Sequence, residues 1–296
     1  MKLPKHARYG VMVAALGLAS SAVAEMAAPR DLVVQKMTTA PVIDGNLSEW
    51  GSAWELIPVD EAIEGDNKNR LGKVDVELQV AVAGDEIFVA ARWPDKSESR
   101  AYKPWSWKKA RKRYSRGKDR DDMFALRFDM GGDFRTCMIE KANYDVDVWL
   151  WSAGRSDQVN YATDGWHRIS FELQMDAAEY EMDDGTVIYI KKQSDEGQAG
   201  FENNKPKRKE FEGDELPGVE LVGEPRGSIG DVAAKGVWKD GYWHLEMKRK
   251  LDTGHSDDVS LAGIDSIRSQ IGVFDQGFAE HKSVSGELRL DFTQAR

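Results

Sequence analysis

The chain has 296 residues, with 41 lysine and arginine residues against 51 acidic ones, a formal net charge of -10 and a mean hydropathy of -0.56. Ten Trp, ten Phe and eight Tyr residues argue against a disordered chain, and this length can bury a sizeable core. The acidic balance disfavours a general nucleic-acid binder, because most of the surface would repel phosphates. A single cysteine excludes an intramolecular disulfide, a cysteine-based zinc or iron–sulfur site and C-x-x-C-H haem attachment. Any bound cofactor is therefore expected to be held non-covalently.

The N-terminus has the pattern of a secretory signal peptide. Lys2, Lys5 and Arg8 precede an apolar stretch at 11–19, and Ala-Val-Ala at 22–24 forms a cleavage site. The apolar stretch is too short to span a bilayer comfortably, although an uncleaved anchor is the alternative. We expect residues 1–24 to be removed and 25–296 to form a single periplasmic domain without a membrane span. Removal leaves 38 cations against 51 acids, a net charge of -13.

Alternation of apolar and polar residues predicts β-strands through the rest of the chain. The apolar positions of successive strands, in chain order, are Val74, Val76, Leu78, Val80 and Val82; 87–91; Phe124, Leu126 and Phe128; Trp243, Leu245, Met247 and Arg249; and Leu288, Leu290 and Phe292. Gly84-Asp85 and Asp240-Gly241 provide hairpin turns. Many short strands with Gly and Asp turns predict an all-β fold, an antiparallel β-sandwich with long loop excursions.

Two stretches interrupt this pattern. Residues 100–120 contain nine cations between Lys103 and Arg120, interleaved with aromatic residues. This stretch could be a solvated loop, a cradle for acidic groups of a cofactor, a docking patch for an acidic partner or a nucleic-acid tail, and an exported location disfavours the last. Residues 191–230 are polar, Gly-rich and mixed in charge, and we interpret them as an excursion from the sandwich because strand-like sequence continues on both sides.

Three segments, in order, resemble a known family. I-D-G-N-L-S-E-W at 43–50 resembles the opening of carbohydrate-binding-module-9-like (DOMON-like) sandwiches. D-V-W-L-W-S-A at 147–153, preceded by Cys137-Met138, resembles the haem-binding γ-subunit family of ethylbenzene dehydrogenase, dimethyl sulfide dehydrogenase and chlorate and selenate reductases. The segments at 241–251, 273–277 and 281–282 resemble the last strands of that family.

The resemblance implies a b-type haem (haem b) bound non-covalently in a β-sandwich, in an electron-transfer subunit without substrate chemistry of its own. It implies molybdopterin/iron–sulfur oxidoreductase subunits or a periplasmic electron carrier as partners. The family's axial ligands, a Met thioether and a Lys amine, map onto Met138 and Lys282. His281 lies beside Lys282 and is an alternative second ligand, since imidazole commonly binds haem iron.

Other side chains have competing interpretations. Cys137 is expected to be an inert thiol rather than a thiolate ligand, and His167 and His244 to be surface or hydrogen-bonded residues. Trp149 and Trp151 share one face of their strand. If the face with Val146 and Val148 packs against the core, the two tryptophans lie on the opposite surface and can stack on a porphyrin, a sugar or a partner. If both faces of the strand are covered, no such surface forms.

Two further functions remain open from the sequence. A carbohydrate-binding module of the related sandwich fold would stack Trp105, Trp149 and Trp151 on sugar rings. A calcium-stabilised adhesion or scaffold domain would use the acidic loops around Asp44 and 257–258. The sequence has no H-E-x-x-H motif, P-loop, G-x-G-x-x-G motif or visible Ser-His-Asp order, so it indicates none of the common catalytic types. The interpretation we favour is a periplasmic electron-transfer protein, the haem subunit of a molybdenum-dependent oxidoreductase.

Overall fold

The computed structural model describes residues 29–61, 73–138, 140–276 and 283–295. Within these ranges the regular structure consists of strands and short 3-10 helices. The strands, in chain order, are β1 (Arg30–Val33), β2 (Gln35–Lys36), β3 (Glu55–Glu61), β4 (Val74–Ala83), β5 (Glu86–Pro94), β6 (Trp105–Lys108), β7 (Arg113–Arg116), β8 (Met123–Gly132), β9 (Tyr144–Ser152), β10 (Tyr161–Ala162), β11 (Gly165–Ser170), β12 (Ala178–Glu181), β13 (Val187–Ser194), β14 (Phe201–Asn203), β15 (Glu215–Leu216), β16 (Val219–Leu221), β17 (Val232–Lys239), β18 (Tyr242–Lys250), β19 (Ser266–Phe274), β20 (Ser283–Ser285) and β21 (Leu288–Asp291). The 3-10 helices are Leu47–Glu49, Lys109–Arg111, Ser156–Val159 and Ser228–Gly230.

Most strands belong to two layers that face each other. The first layer has the strand order β10-β17-β18-β5-β4-β3, and the second has the order β19-β8-β9-β11-β13-β12. β20 pairs with both β3 and β19 and so joins the layers along one side. On the other side, Leu150 of β9 exchanges backbone hydrogen bonds of 2.9 and 3.0 Å with Thr163, next to β10. The result is the antiparallel β-sandwich that the sequence predicts.

The main core lies between the layers and contains the side chains that the alternation assigns to one face of each strand. It includes Val76, Leu78, Val89, Trp93 and Leu245 from the first layer and Phe124, Leu126, Trp149, Trp151 and Ile271 from the second. Aromatic rings cross the interface: Trp93 stacks on Phe124 with their centroids 5.4 Å apart, and Trp243 meets Trp151 edge-on at 4.9 Å. Ring pairs of this geometry add to the stabilisation from burial alone.

Both layers are also covered on their outer faces. Trp50, Ala81, Phe88 and Ala90 form a small buried cluster outside β4 and β5. On the second layer, Phe134 from the connection 133–143 covers Val146, Ile169 and Ile188. Strands β4 and β9 are therefore apolar on both faces, as for strands enclosed between two coverings.

The two interruptions of the strand pattern pack against each other. β6 and β7 form a hairpin within the 100–120 stretch, and β15 from the 191–230 stretch pairs with β6. The backbone N–H of Tyr114 donates to the carbonyl of Arg208 at 2.9 Å, and that of Trp107 donates to Asp214 at 2.8 Å. We call residues 100–120 together with 200–218 the basic unit, because it has seven exposed cations within eleven residues: Lys108, Lys109, Arg111, Lys112, Arg113, Arg116 and Lys118.

The expected signal peptide at 1–24 lies outside the described residues, so its cleavage and the periplasmic location stay predictions. In the described ranges, no helix is long and apolar enough to cross a membrane.

Candidate functional site

Met138 lies in the connection 133–143, which joins β8 to β9 over the outer face of the second layer. The Arg127 guanidinium anchors this connection by donating to the carbonyl oxygens of Arg135 and Thr136, the latter at 2.8 Å. Met138 is half-buried and packs against the apolar cluster that contains Phe134 and Tyr144. A half-buried methionine is thus held against an apolar surface, and its role as a ligand stays a prediction.

Cys137, beside Met138, is half-buried, and its backbone carbonyl accepts a 3.5 Å hydrogen bond from the Tyr144 hydroxyl. His167 and His244 are half-buried residues on strands. Burial, with the charges of Arg92 and Lys239, lowers the pKa of His244, so its imidazole is neutral at neutral pH. His244 extends from β18 across from Arg92 of β5.

Trp149 and Trp151 point into the main core, and both are completely buried. The Trp151 indole donates to Asp157 Oδ1 at 2.9 Å, and the Arg249 guanidinium lies over the Trp149 ring at 4.9 Å. The valine side of β9 is covered too, so the arrangement with both faces covered is the observed one and no exposed Trp149–Trp151 stacking surface exists. Trp105 is half-buried, and its indole donates to the Asn204 carbonyl at 3.0 Å. The three tryptophans therefore form no common sugar-binding surface, and cofactor binding by Trp149 and Trp151 stays a prediction.

Lys282 and His281 lie outside the described residues, but the flanking residues Gln276 and Ser283 are described. Phe274 of β19 pairs with Met123, the first residue of β8, whereas the connection that carries Met138 follows Gly132, the last residue of β8. The two segments thus leave from opposite ends of β8, about 30 Å apart at ~3.3 Å per residue. For Met138 and Lys282 to bind one iron, one of the two segments would have to reach back along β8. The guanidinium of Arg127, in the middle of that strand, contacts the backbone of residues 135 and 136.

Three buried carboxylates meet at the Met123 end of the sandwich. Asp95 follows β5 in the first layer, Asp122 precedes β8 in the second, and Asp275 follows β19 beside it. Their exposed fractions are 2%, 0% and 8%, and one carboxylate oxygen from each lies within 4.8 Å of the others. Burial, reinforced by the neighbouring carboxylates, raises the pKa of Asp95 to about 6 and that of Asp122 to about 8. We call these three residues the acidic triad.

Neighbouring donors hold the acidic triad in place. The backbone N–H of Ser97 donates to Asp95 Oδ1 at 3.0 Å. Asp122 Oδ2 accepts from the backbone N–H of Ser99 at 2.8 Å and from the Trp243 indole at 3.1 Å. Asp95 Oδ2 is buried and has no hydrogen-bond partner among the described residues. Sequence reasoning missed this cluster, because each acid stands at a different strand end and only the strand pairing brings them together.

A second group of buried acids surrounds Arg249. Its Nη1 donates to Asp147 Oδ2 at 2.8 Å, Asp164 Oδ2 at 3.0 Å and Asp258 Oδ1 at 3.1 Å, and all four side chains are almost completely buried. Alternation correctly places Arg249 on the core face, and these carboxylates compensate its charge. Since the guanidinium occupies the centre, this group is an ion-pair network.

The loops considered for calcium are likewise bonded within the protein. Asp257 Oδ2 accepts from the Ser228 hydroxyl at 2.7 Å and from the backbone N–H of Glu196 at 3.0 Å. Asp258 contacts Arg249 and Thr253, and Asp44 Oδ1 accepts from the backbone N–H of Asn46 at 2.8 Å. Asp44 is far along the chain from 257–258, and among the described residues no metal-binding grouping combines the two loops.

The fold and the residues around it define a class of protein: an antiparallel β-sandwich with a methionine-bearing connection on its outer face and a separate basic unit. A family model described as ethylbenzene dehydrogenase matches residues 52–285. This range runs from just before β3 to the end of β20 and includes both the Met138 and the Lys282 positions. The chain therefore belongs to the ethylbenzene dehydrogenase family, and the resemblance found in the sequence is confirmed.

Two solved structures of a carbohydrate binding module family 9 protein from Caldicellulosiruptor kristjanssonii are similar to this chain. The complex with glucose has 9% identity and a TM-score of 0.35, and the similarity covers 88% of this chain and 85% of that one. The complex with cellotriose has 9% identity and a TM-score of 0.36, with 88% and 94% covered. No curated protein matches the sequence.

Proposed function

We propose that this protein is an exported electron-transfer subunit that binds one b-type haem non-covalently. It would pass single electrons between a molybdenum-dependent oxidoreductase and a soluble or membrane-bound carrier. The observation that carries this proposal is the family match over residues 52–285. The family comprises small cytochrome subunits of molybdenum-enzyme complexes rather than their catalytic subunits, so we assign no substrate chemistry to this chain.

The surroundings of Met138 support its role as one axial ligand. Its thioether packs beside apolar side chains, including Phe134 and Tyr144, and hydrogen bonds from Arg127 hold the backbone that precedes it. A thioether needs no deprotonation to bind iron, and it stabilises the ferrous state, which raises the reduction potential. Bound haem would supply reversible one-electron chemistry, while Met138 and its apolar neighbours would fix the potential and limit access of water.

Lys282 is our proposed second ligand, with His281 as the alternative. A lysine amine binds a metal only in its neutral form, although a free lysine has a pKa near ~10.4. Lys282 would therefore have to lose its proton to hold the iron, and an apolar environment would help by penalising the ammonium form. An imidazole at His281 meets a smaller obstacle because it is largely neutral at pH 7.

The exposed cations of the basic unit support the proposal that an acidic partner protein docks there. The whole chain has a net charge of -10, yet seven cations are exposed between Lys108 and Lys118. Phe211 is 60% exposed and contacts Trp107 edge-on with a centroid distance of 5.4 Å, so an apolar group lies among these charges. Positive charge around an aromatic centre suits a transient redox interface, where charges steer the approach and the apolar group packs.

A direct test is to express the full chain with its own N-terminus in a bacterium that can export it. We expect a coloured protein in the periplasmic fraction, a b-type pyridine haemochrome spectrum and about one haem per chain. Acid–organic extraction should release all the haem, because a single Cys permits no C-x-x-C-H attachment. A protein that stays colourless after haem reconstitution, or is retained on polysaccharide instead, would contradict the proposal.

A further inference from the structure

The acidic triad lies where the two layers of the sandwich meet at one end. Asp95 extends the first layer beyond Pro94, whereas Asp122 and Asp275 belong to the second layer at the paired residues Met123 and Phe274. Nearby, Trp93 from the first layer stacks on Phe124 from the second. Three carboxylates from two layers are thus buried together at a junction that ring packing and the hydrogen bond from Trp243 to Asp122 also hold.

Two members of the acidic triad lack a compensating positive charge in the part of the chain that the structure describes. Neither Asp95 nor Asp122 forms an ion pair there, in contrast to Asp157, which pairs with Arg100 at 2.7 Å, and Asp121, which pairs with Arg155 at 3.0 Å. Asp95 Oδ1 accepts from Ser97, and the buried Oδ2 has no hydrogen-bond donor among the described residues. A buried carboxylate oxygen with no donor carries a large desolvation cost, which a cation would offset.

We propose that the acidic triad binds one divalent cation, with Ca²⁺ as the best fit, and that the ion connects the two layers at this end. The donors are all carboxylate oxygens, which hard cations prefer over softer metals. Ligand oxygens at ~2.3–2.6 Å from a Ca²⁺ ion stand at most about 5 Å apart. The observed limit of 4.8 Å between the carboxylate oxygens falls within that span.

The coordination chemistry favours Ca²⁺ over Mg²⁺. Mg²⁺ demands near-octahedral geometry at ~2.0–2.1 Å and keeps several waters, whereas Ca²⁺ accepts irregular sets of six to eight oxygens. Carboxylates from three different strand ends, two of which already accept from backbone N–H groups, form such an irregular set. This inference does not depend on haem binding, because the triad contains no residue assigned to the iron.

The test is a calcium titration of the purified full-length protein after removal of metals with a chelator, with haem content recorded by absorbance. Calorimetry with CaCl₂ should give about one site per chain. Thermal unfolding should shift upwards by about 3 °C or more in 5 mM CaCl₂ relative to chelator, since a ligand that binds only the folded state stabilises it. The same concentration of MgCl₂ should have a smaller effect.

Three variants locate the site. Asp95→Asn and Asp275→Asn should each weaken calcium binding at least tenfold. In chelator both should melt at or above the temperature of wild type, because each replaces a buried carboxyl, whose ionised form burial disfavours, with a neutral amide. The matched control is Asp231→Asn, in a different acidic grouping with His255 and Asp258. It should bind calcium as wild type does.

No calcium binding by wild type at millimolar concentration, or binding that Asp95→Asn and Asp275→Asn leave unchanged, would overturn the inference. Loss of binding in Asp231→Asn alone would place the ion in that other grouping and would also overturn it. A colourless protein that binds calcium through the triad would support this inference while contradicting haem binding.

Discussion

The indole N–H of Trp50 donates to Glu246 Oε1 at 2.7 Å, across 196 positions of sequence. The second oxygen of the same carboxylate accepts from the backbone N–H groups of Gly45 at 2.7 Å and Asp44 at 3.1 Å. Glu246 is completely buried, and burial raises its pKa. One carboxylate on β18 thereby fixes the whole I-D-G-N turn against the first layer.

We expect Glu246→Ala to lower the free energy of unfolding by about 2 kcal/mol or more, because it leaves the buried donors of Gly45 and Trp50 unpaired at about 1 kcal/mol or more each. Trp50→Phe removes one donor together with its acceptor contact and should cost about 1–2 kcal/mol. Urea unfolding followed by fluorescence measures both. Equal losses in the two variants would contradict the role of Glu246 as the shared acceptor.

Met138→Ala should either release the haem or lower its reduction potential by on the order of 100 mV, a fraction of the ~0.8 V that axial ligands span. Potentiometric titration of the visible spectrum measures the shift. Met130→Leu and Met123→Leu are the controls; Met123 is buried in the core, and its sulfur accepts from Arg155 Nη2 at 2.8 Å. An unchanged spectrum in Met138→Ala, with a change in either control, would assign the ligand to that other methionine.

Lys282→Ala should lose the wild-type low-spin spectrum already at neutral pH, and Lys282→Arg should do the same because a guanidinium has no accessible neutral form. In wild type, acidification should displace the amine, since a proton competes with iron for its lone pair. A pH titration of the visible and low-temperature resonance spectra tests this expectation. If His281→Ala alone removes the low-spin signal, the second ligand is His281.

Charge reversal at Lys108 and Lys112 should slow electron transfer to the partner about tenfold at low ionic strength and much less at ~0.5 M salt, where exposed charges are screened. The control is charge reversal at Lys73 and Lys250, which lie outside the basic unit. It changes the net charge by the same amount as reversal at Lys108 and Lys112. Stopped-flow transfer rates across a salt series compare the two. A defect of the Lys108 and Lys112 variant that does not vary with salt would rule out electrostatic steering by this surface.

The ionisation of Asp195 should make the free energy of unfolding depend on pH. Burial and the charges of Asp257 and Asp258 raise its pKa to about 8, above the ~3.9 expected in the unfolded chain. Between these two pKa values the folded chain keeps a proton on Asp195 that the unfolded chain has lost. The stabilisation that comes from this difference is complete below pH ~4 and is lost as pH rises towards 8. Urea midpoints in chelator should fall between pH 6 and pH 9, and less steeply in Asp195→Asn.

The control for that series is Asp184→Asn. Asp184 is exposed, and its hydrogen bonds to Lys141 and Thr186 lower its pKa to about 2, so it does not titrate above pH 6. Its slope should equal that of wild type. Identical slopes in Asp195→Asn and wild type would show that Asp195 is ionised throughout this range.

Alternation alone identified much of the core. Val76, Leu78, Phe124, Leu245 and Leu290 are all buried where the period of two places them, and the Gly84-Asp85 turn joins β4 to β5. These predictions succeeded because one face of each strand is consistently apolar. They depend only on neighbours along the chain.

The same reasoning could not choose a face for β9. Both of its faces carry apolar residues, so period two cannot show which face Trp149 and Trp151 occupy, and the covering from 133–143 decides it. Alternation also could not reveal that Glu246 is buried beneath the I-D-G-N turn, because it lies on the strand face that the pattern predicts to be polar. Contacts between residues about 200 positions apart depend on strand order, which a single sequence does not specify.

The two segments of the basic unit depend on each other for their packing, so they should be conserved or lost together among homologous chains. Its hairpin and the segment that covers it are separated by about eighty residues of sandwich, yet they share a sheet and a tight backbone contact, since a Cβ at Gly218 would collide with the Tyr102 and Lys103 carbonyl oxygens. Deletion of either segment would expose Trp107 and Tyr114 to water. Homologous chains should therefore retain both insertions or lack both, and a transplant into a sandwich without them would succeed only if it moved the pair.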